Sequence, residues 1–322
     1  MFNPSELQML GLQVTLACDK GCSMCCVSAE GSPSASHMAS DRIASLITRL
    51  CVLGVRGCVV AISGGEPMMY DDQGKALEGI IHLVRALQPR LLYIQTSGAG
   101  PGVPDLSGQV TRILAAAGPC PVQFATSFTL YQRAGIEGRM ATTLAVLAKA
   151  MAPRPLEVHL TTDPGNRAAT MAAFQGASRI AGFTSLSIGA AGAICVRGNE
   201  MLAARMSATV AAGRAAQFTN LDPERQPANP DFGCEWLARN RIAMQVLTDG
   251  EAYVCCSPRA YRNPTHIVNV FQDDPVEFFQ RYASLRRRLI DVICGRDGEP
   301  SVTGRCARCN LVDHRTLALR CE

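Results

Sequence analysis

Three cysteines near the amino terminus have the spacing of a metal-binding loop. Cys18, Cys22 and Cys25 form a C-x3-C-x2-C set directly after the apolar run Leu12-Gln13-Val14-Thr15-Leu16-Ala17. Chance alone supplies about 0.03 such triads in a chain of this composition, so the spacing is suggestive and its setting decides. Three thiolates fall one short of the ligand set of a structural zinc or an ordinary cubane. A [4Fe–4S] cluster held by three cysteines keeps one iron open for a small molecule, which is a physical reason for a triad. Cys26 is a fourth thiol in reach of the loop, but adjacent side chains rarely both reach one cluster, so it reads as a neighbour of the ligands. The second signal is Ile62-Ser63-Gly64-Gly65-Glu66-Pro67. Paired glycines let the backbone approach a ligand closely, and exposed carbonyls with Glu66 suit an ammonium group. Alone, Gly-Gly-Glu-Pro reads as a tight turn. Beside a three-cysteine loop it reads as half of a site.

Both signals fall at the ends of predicted strands. The run 12–17 is the first strand, followed by a helix from Ser40-Asp41 to about Leu53. Strands follow at 59–62, 91–95, 122–127, 156–160 and 185–188, with helices at 75–87, 105–117, 138–150 and 167–181 between them. A last helix is expected near 201–212. Six β-then-α units imply right-handed crossovers and a parallel sheet or barrel, with ligands at the carboxyl ends of the strands. The alternation stops near Asn220, and 222–230, rich in Pro, Asn and charge, reads as a linker. Beyond it, Thr248-Asp249-Gly250 between β-rich runs signals a hairpin, and a helix is expected over 276–290. The basic run Arg286-Arg287-Arg288 on that helix reads as a solvated face.

Composition narrows the class. The chain has 322 residues and is 48% hydrophobic, enough for a packed core and against whole-chain disorder. A net charge of +4 is too mild to argue for nucleic acid. Neither a signal peptide nor an apolar run long enough for a membrane span is visible, so a cytoplasmic protein is expected. Fifteen cysteines is then the outlying number, because clustered thiols in a reducing compartment more often bind metal or do chemistry than pair.

The triad and the Gly-Gly-Glu-Pro turn together resemble the radical S-adenosylmethionine enzymes. The resemblance implies a partial (β/α)6 barrel over 1–218. It implies that Cys18, Cys22 and Cys25 ligate a [4Fe–4S] cluster whose open iron chelates S-adenosylmethionine, while Gly64, Gly65 and Glu66 bind its methionine end. Ser127, and Thr161 or Thr162, are the implied contacts to ribose and carboxylate. The family usually has an aromatic residue near adenine before the third cysteine. Here it is Met24, whose thioether can pack on a purine.

The C-terminal cysteines form a second pattern. Cys234, fifteen residues, Gly250, four residues and Cys255 resemble the opening of the SPASM and Twitch extensions of that superfamily. The segments 266–270 and 273–279 resemble the strand and helix that follow there, and Cys306-Ala307-Arg308-Cys309 adds a C-x2-C. The resemblance implies a small Twitch-like hairpin-plus-helix domain over 219–322. Its single auxiliary [4Fe–4S] cluster would be held by Cys234, Cys255, Cys306 and Cys309, with Cys256 as a substitute for Cys255 and Cys321 as an additional candidate. A four-cysteine zinc ribbon has similar spacing and is the competing reading of this half.

What the resemblance implies is hydrogen abstraction from a C–H bond by a 5′-deoxyadenosyl radical, with a flavodoxin- or ferredoxin-type electron donor. Two substrate classes compete. One is maturation of a ribosomally made peptide, by cross-linking or epimerisation. The other is dehydrogenation or epimerisation of an aminocyclitol- or sugar-like small molecule. Only seventeen residues precede Cys18, so a leader-peptide-binding domain is expected to be absent or supplied by a separate protein. Cys195, after the expected sixth strand, is the candidate thiol for returning a hydrogen in an epimerase, with burial as a small apolar side chain competing. Arg197 and Asn199 are read as carboxylate contacts or helix caps. His82, His159 and His314 show no ligand spacing, and packing or solvent exposure is their default. A non-enzymatic zinc-binding module is the reading from another class, and it leaves the triad with Gly-Gly-Glu-Pro unexplained.

Overall fold

This computed structural model describes residues 3–23, 25, 27, 29, 37–131, 136–162, 165–189, 192–208, 242–253 and 268–282. The strands are β1 (Leu7–Thr15), β2 (Val59–Gly64), the short pair β3 (Asp71–Asp72) and β4 (Lys75–Ala76), β5 (Leu91–Thr96), β6 (Val122–Phe128), β7 (Leu156–Thr162), β8 (Thr184–Gly189), β9 (Gly192–Arg197), β10 (Glu200–Ala208), β11 (Ile242–Val246), β12 (Glu251–Tyr253) and β13 (Val268–Asn269). The helices are α1 (Ser40–Val52), α2 (Leu77–Val84), α3 (Leu106–Ala117), α4 (Ile136–Met151) and α5 (Arg167–Ile180). Residues 275–282 are also helical.

One large sheet runs β13-β12-β11-β1-β2-β5-β6-β7-β10-β9-β8. The stretch from β11 through β10 is parallel, and both flanks turn antiparallel. The result is an α/β fold of the partial-barrel type that the sequence analysis expected. Helices cover one face. Ile43, Leu46, Ile47 and Leu50 of α1 are buried in the same core as Val60, Ile62, Leu92 and Ile94, each contributing roughly 1.5–3 kcal/mol. The start of α1 differs in detail from its signal. Its N-cap is Ala39 without a side-chain bond, and Asp72 Oδ2 accepts from Ser40 N–H at 2.7 Å instead. Among the described residues no helix is long and apolar enough to cross a membrane.

The sixth parallel strand is not where the sequence suggested. Residues 184–189 do form a strand, but it lies at the sheet edge, and β10 takes the place beside β7. The helix expected over 201–212 is therefore a strand through residue 208. Met201-Leu202-Ala203-Ala204-Arg205-Met206 are strong helix formers. Two tight connections at Gly189–Gly192 and Gly198 nevertheless fold the segment into an antiparallel meander, and strand pairing overrides propensity. A Cβ on Gly192 would sit 2.1 Å from the Ala204 carbonyl, so the β9–β10 approach requires glycine there.

The hairpin around Thr248-Asp249-Gly250 is present, with Gly250 at φ +93°. Its first strand, β11, pairs in parallel with β1, so the hairpin extends the main sheet. Arg49 of α1 donates to the carbonyls of Val270 and Asp273, fastening the segment 268–273 to the helix layer. The 218/219 boundary, the linker, the basic run 286–288 and His314 lie outside the described residues.

Candidate active site

The cysteine loop begins where β1 ends. Thr15 Oγ1 accepts from Ala17 N–H at 2.9 Å, turning the chain out of the strand. Cys18, Cys22 and Cys25 are all half-buried and unpaired by disulfide. Burial pushes the Cys18 thiol up to about 12, the nearby charges of Glu66 and Cys22 add to this, and the Lys20 backbone N–H donating to its sulfur opposes it. Cys25 Sγ accepts from Ala29 N–H at 3.2 Å. Such N–H donors aimed at sulfur suit the thiolates of an iron–sulfur cluster, and metal binding would expel the proton that burial retains. Among the described residues no three His, Cys, Asp or Glu side chains converge as they would around a single ion. A cubane gives each thiolate its own iron and so holds its ligands farther apart. Met24 and Cys26 lie outside the described residues.

The Gly64-Gly65-Glu66 turn is locked to this loop through the backbone. Gly65 N–H and Glu66 N–H donate to the carbonyls of Thr15 and Ala17, each at 2.7 Å. A Cβ on Gly64 would lie 2.2 Å from the Thr15 oxygen, and one on Gly65 2.3 Å from the Ala17 oxygen. The two glycines are thus required by the approach of chain to chain, and Gly64 also sits at φ +136°. Glu66 is fully buried. Its Oε1 accepts from Met68 N–H at 3.0 Å and Thr96 Oγ1 at 2.6 Å, and its Oε2 from Ser97 N–H at 2.7 Å and Ser97 Oγ at 2.5 Å. Four acceptor sites are all a carboxylate has. Glu66 therefore clamps the β2 turn to the end of β5, a job the sequence analysis did not foresee for it.

Ser127 and Thr161 share the inner face, away from the helices. Ser127 accepts from Gln95 Nε2 at 3.2 Å. Thr162 follows Thr161 on β7 and takes the opposite, buried face, which separates the two alternatives the sequence left open. Cys195 is fully buried on β9 beside Ser185 Oγ at 3.7 Å. Its register partner Leu202 pairs with Leu156, and both are buried. Cys195 thus belongs to the helix-side core and has no exposure to the inner face where a substrate radical would need a hydrogen. Arg197 donates to Glu200 Oε2 and to the carbonyls of Ala181 and Ala145, and it covers the Phe183 ring. It ties the meander to the helix layer, and the helix it was read as capping is a strand.

His159 is the residue that sequence reasoning undervalued. Its Nε2 lies 3.2 Å from Tyr93 Oη, which also donates to Glu157 Oε2 at 3.2 Å. Arg205 Nε contacts His159 Nδ1 at 3.4 Å, and its Nη2 is 3.7 Å from Glu157. Burial, then the Arg205 charge, lowers the His159 pKa, and Glu157 partly opposes them. Burial and Glu157 raise that of Tyr93. The four residues form an ionisable quartet on the inner face of β5, β7 and β10. The available signal was Glu157-x-His159-x-Thr161 alternating with Leu156, Val158 and Leu160.

No family model matches the sequence, and no curated protein matches it. Solved structures do. Hexahistidine-tagged anSMEcpe with bound AdoMet superposes with a TM-score of 0.53 at 10% identity, over 98% of this chain and 95% of that one. Its native form with AdoMet and the Cp18Cys peptide gives 0.52 at 10% identity and the same coverage. Streptococcus suis SuiB bound to S-adenosylmethionine gives 0.51 at 12% identity over 85% of this chain. These are radical S-adenosylmethionine enzymes. The chain has the radical S-adenosylmethionine enzyme fold. It spans 66% of the length of SuiB, just under two thirds. Within that fold, the cysteine loop and the Gly-Gly-Glu-Pro turn meet at the carboxyl ends of β1 and β2, where parallel α/β sheets bind their ligands. Cys234, Cys255, Cys306 and Cys309, with Cys256 and Cys321, lie outside the described residues.

Proposed function

We propose that this protein is a radical S-adenosylmethionine enzyme that removes hydrogen from an unactivated C–H bond of a ribosomally made peptide. The observation that carries the reading is the backbone lock between the three-cysteine loop and Gly64-Gly65-Glu66 in a radical S-adenosylmethionine fold. Cys18, Cys22 and Cys25 would hold a [4Fe–4S] cluster. With an electron from an external donor, that cluster and S-adenosylmethionine would supply the radical chemistry for hydrogen removal. The chain's part is positional. Gly64 and Gly65 would bring backbone close to the bound methionine end, Glu66 holds that turn in place, and Ser127 and Thr161, on the inner sheet face, would serve as hydroxyl partners. Cys234, Cys255, Cys306 and Cys309 would hold one auxiliary [4Fe–4S] cluster, which would supply a site able to take an electron from the substrate. A cytoplasmic setting and a flavodoxin- or ferredoxin-type donor complete the proposal.

The peptide class is supported by the fold shared with anSMEcpe, whose structure holds a peptide. A second reading, oxidation or epimerisation of a hydroxyl- or amine-rich small molecule, is favoured by the Tyr93–Glu157–His159–Arg205 quartet. A precursor-peptide gene beside this one supports the first, and sugar-biosynthesis genes support the second.

Protein purified without oxygen is expected to be brown and to carry about eight iron atoms per chain. Dithionite with S-adenosylmethionine should yield 5′-deoxyadenosine, and Cys22→Ala should abolish that yield. Full activity in Cys22→Ala contradicts the assignment. Cys309→Ala should lower iron to about half while some cofactor cleavage survives.

A further inference from the structure

The turn at 98–102, just after β5, grips the cysteine loop from its other side. Lys20 lies between Cys18 and Cys22 and is 3% exposed. Its Nζ donates to the carbonyls of Gly98 and Ala99, each at 3.0 Å. Asp19 Oδ1 stands 2.7 Å from the same ammonium, an ion contact outside hydrogen-bond alignment. Asp19 Oδ2 accepts from Gly102 N–H at 2.9 Å. A Cβ on Gly100 would fall 2.2 Å from Asp19 Oδ2 and 2.3 Å from Lys20 Nζ, so the glycine clears the space the pair fills. Immediately before this turn, Thr96 and Ser97 hold Glu66. One short segment therefore anchors both the interval between two cysteines and the Gly-Gly-Glu-Pro turn.

A buried ion pair is a poor way to gain stability, because desolvation offsets most of the attraction. What it offers is placement. A lysine ammonium directs its donors from one point, here towards two successive carbonyls, while its charge stands against a carboxylate. In the same residue the backbone N–H is aimed at Cys18 sulfur.

We propose that Lys20 is a positioning residue for the cluster: the Asp19–Lys20 pair, clasped by the 98–102 backbone, presets the Cys18–Cys22 interval against the Gly64–Glu66 turn before iron arrives. This rests on the radical S-adenosylmethionine reading above. Lys20→Met alone leaves Asp19 as a buried unpaired charge and destabilises whatever the role of Lys20. The informative variant is Asp19→Asn with Lys20→Met, which removes both charges and keeps the shape. Each protein is reconstituted with iron and sulfide under anoxic conditions and challenged with a chelator. Its reduced state is then recorded by electron paramagnetic resonance with and without S-adenosylmethionine. The double variant should melt close to the wild type, retain iron about tenfold less well, and lose the spectral change caused by S-adenosylmethionine. Gly100→Ala keeps both charges but pushes the pair aside, and it should show the same spectral loss. A folded double variant with wild-type iron retention and a wild-type spectral change overturns the positioning role. So does a normal change in Gly100→Ala. A wild-type chain whose iron ignores S-adenosylmethionine overturns the enzyme reading as well.

Discussion

Glu66→Gln separates a structural clamp from a ligand. The carboxylate is fully buried and accepts two hydrogen bonds on each oxygen, with one backbone N–H on each side, from Met68 and from Ser97. An amide of the same shape keeps one accepting oxygen. Whichever way it turns, its NH2 faces a backbone N–H. The Thr96 and Ser97 hydroxyls can rotate to accept, but the N–H cannot. An orphaned buried donor costs about 1–3 kcal/mol. Loss of charge assistance at the remaining bonds adds roughly 1 kcal/mol. The sum, about 2–4 kcal/mol, should lower the melting temperature of this 322-residue chain by roughly 3–6 °C. The assay is anoxic thermal unfolding by circular dichroism, without S-adenosylmethionine, beside binding of the cofactor to reconstituted protein. Unchanged melting combined with weakened cofactor binding would refute the reasoning, because it would make the carboxylate a ligand with spare acceptor sites.

Gly65→Ala should disturb the lock itself, since its Cβ would press on the Ala17 carbonyl, a backbone atom; reduced iron uptake in anoxic reconstitution is the readout. His159 has a lowered pKa in the folded chain, so the unfolded chain binds the proton more readily. The stability tied to its neutral form is present at pH 7 and is lost as pH falls through the unfolded value of about 6.5. His159→Gln should flatten the fall in melting temperature between about pH 7 and pH 5, where the wild type declines. Cys195→Ala removes only a buried thiol beside Ser185. It should cost about 1 kcal/mol and leave the yield of 5′-deoxyadenosine unchanged, which product analysis with and without the variant would check.

Local patterns carried much of the site. The triad spacing and the Gly-Gly-Glu-Pro turn needed only the order of residues, because a loop after a strand and a turn after a strand are set by neighbours in the chain. Five of the seven parallel strands, β1, β2, β5, β6 and β7, were legible for the same reason, as apolar runs bounded by turn residues, and β11 was legible only as a strand of the hairpin. β10 was not, because the segment 201–206 is locally a good helix. Only its register with residues 156–162 of β7 makes it a strand. Glu66 was legible as part of a candidate site but not as saturated, since Thr96 and Ser97 reach it from another strand end.

The amino-acid order by itself determined the alternating α/β class and the cysteine loop. It also placed a two-glycine turn near that loop, since periodicity and side-chain type act over a few residues. The tertiary structure alone decided which strand stands beside β7 and that β11 joins β1 in parallel. It also decided that Cys195 faces the helices while Tyr93, Glu157, His159 and Arg205 meet. Those outcomes depend on pairing between segments tens of residues apart. A shift of one residue in strand register exchanges the two faces of a sheet.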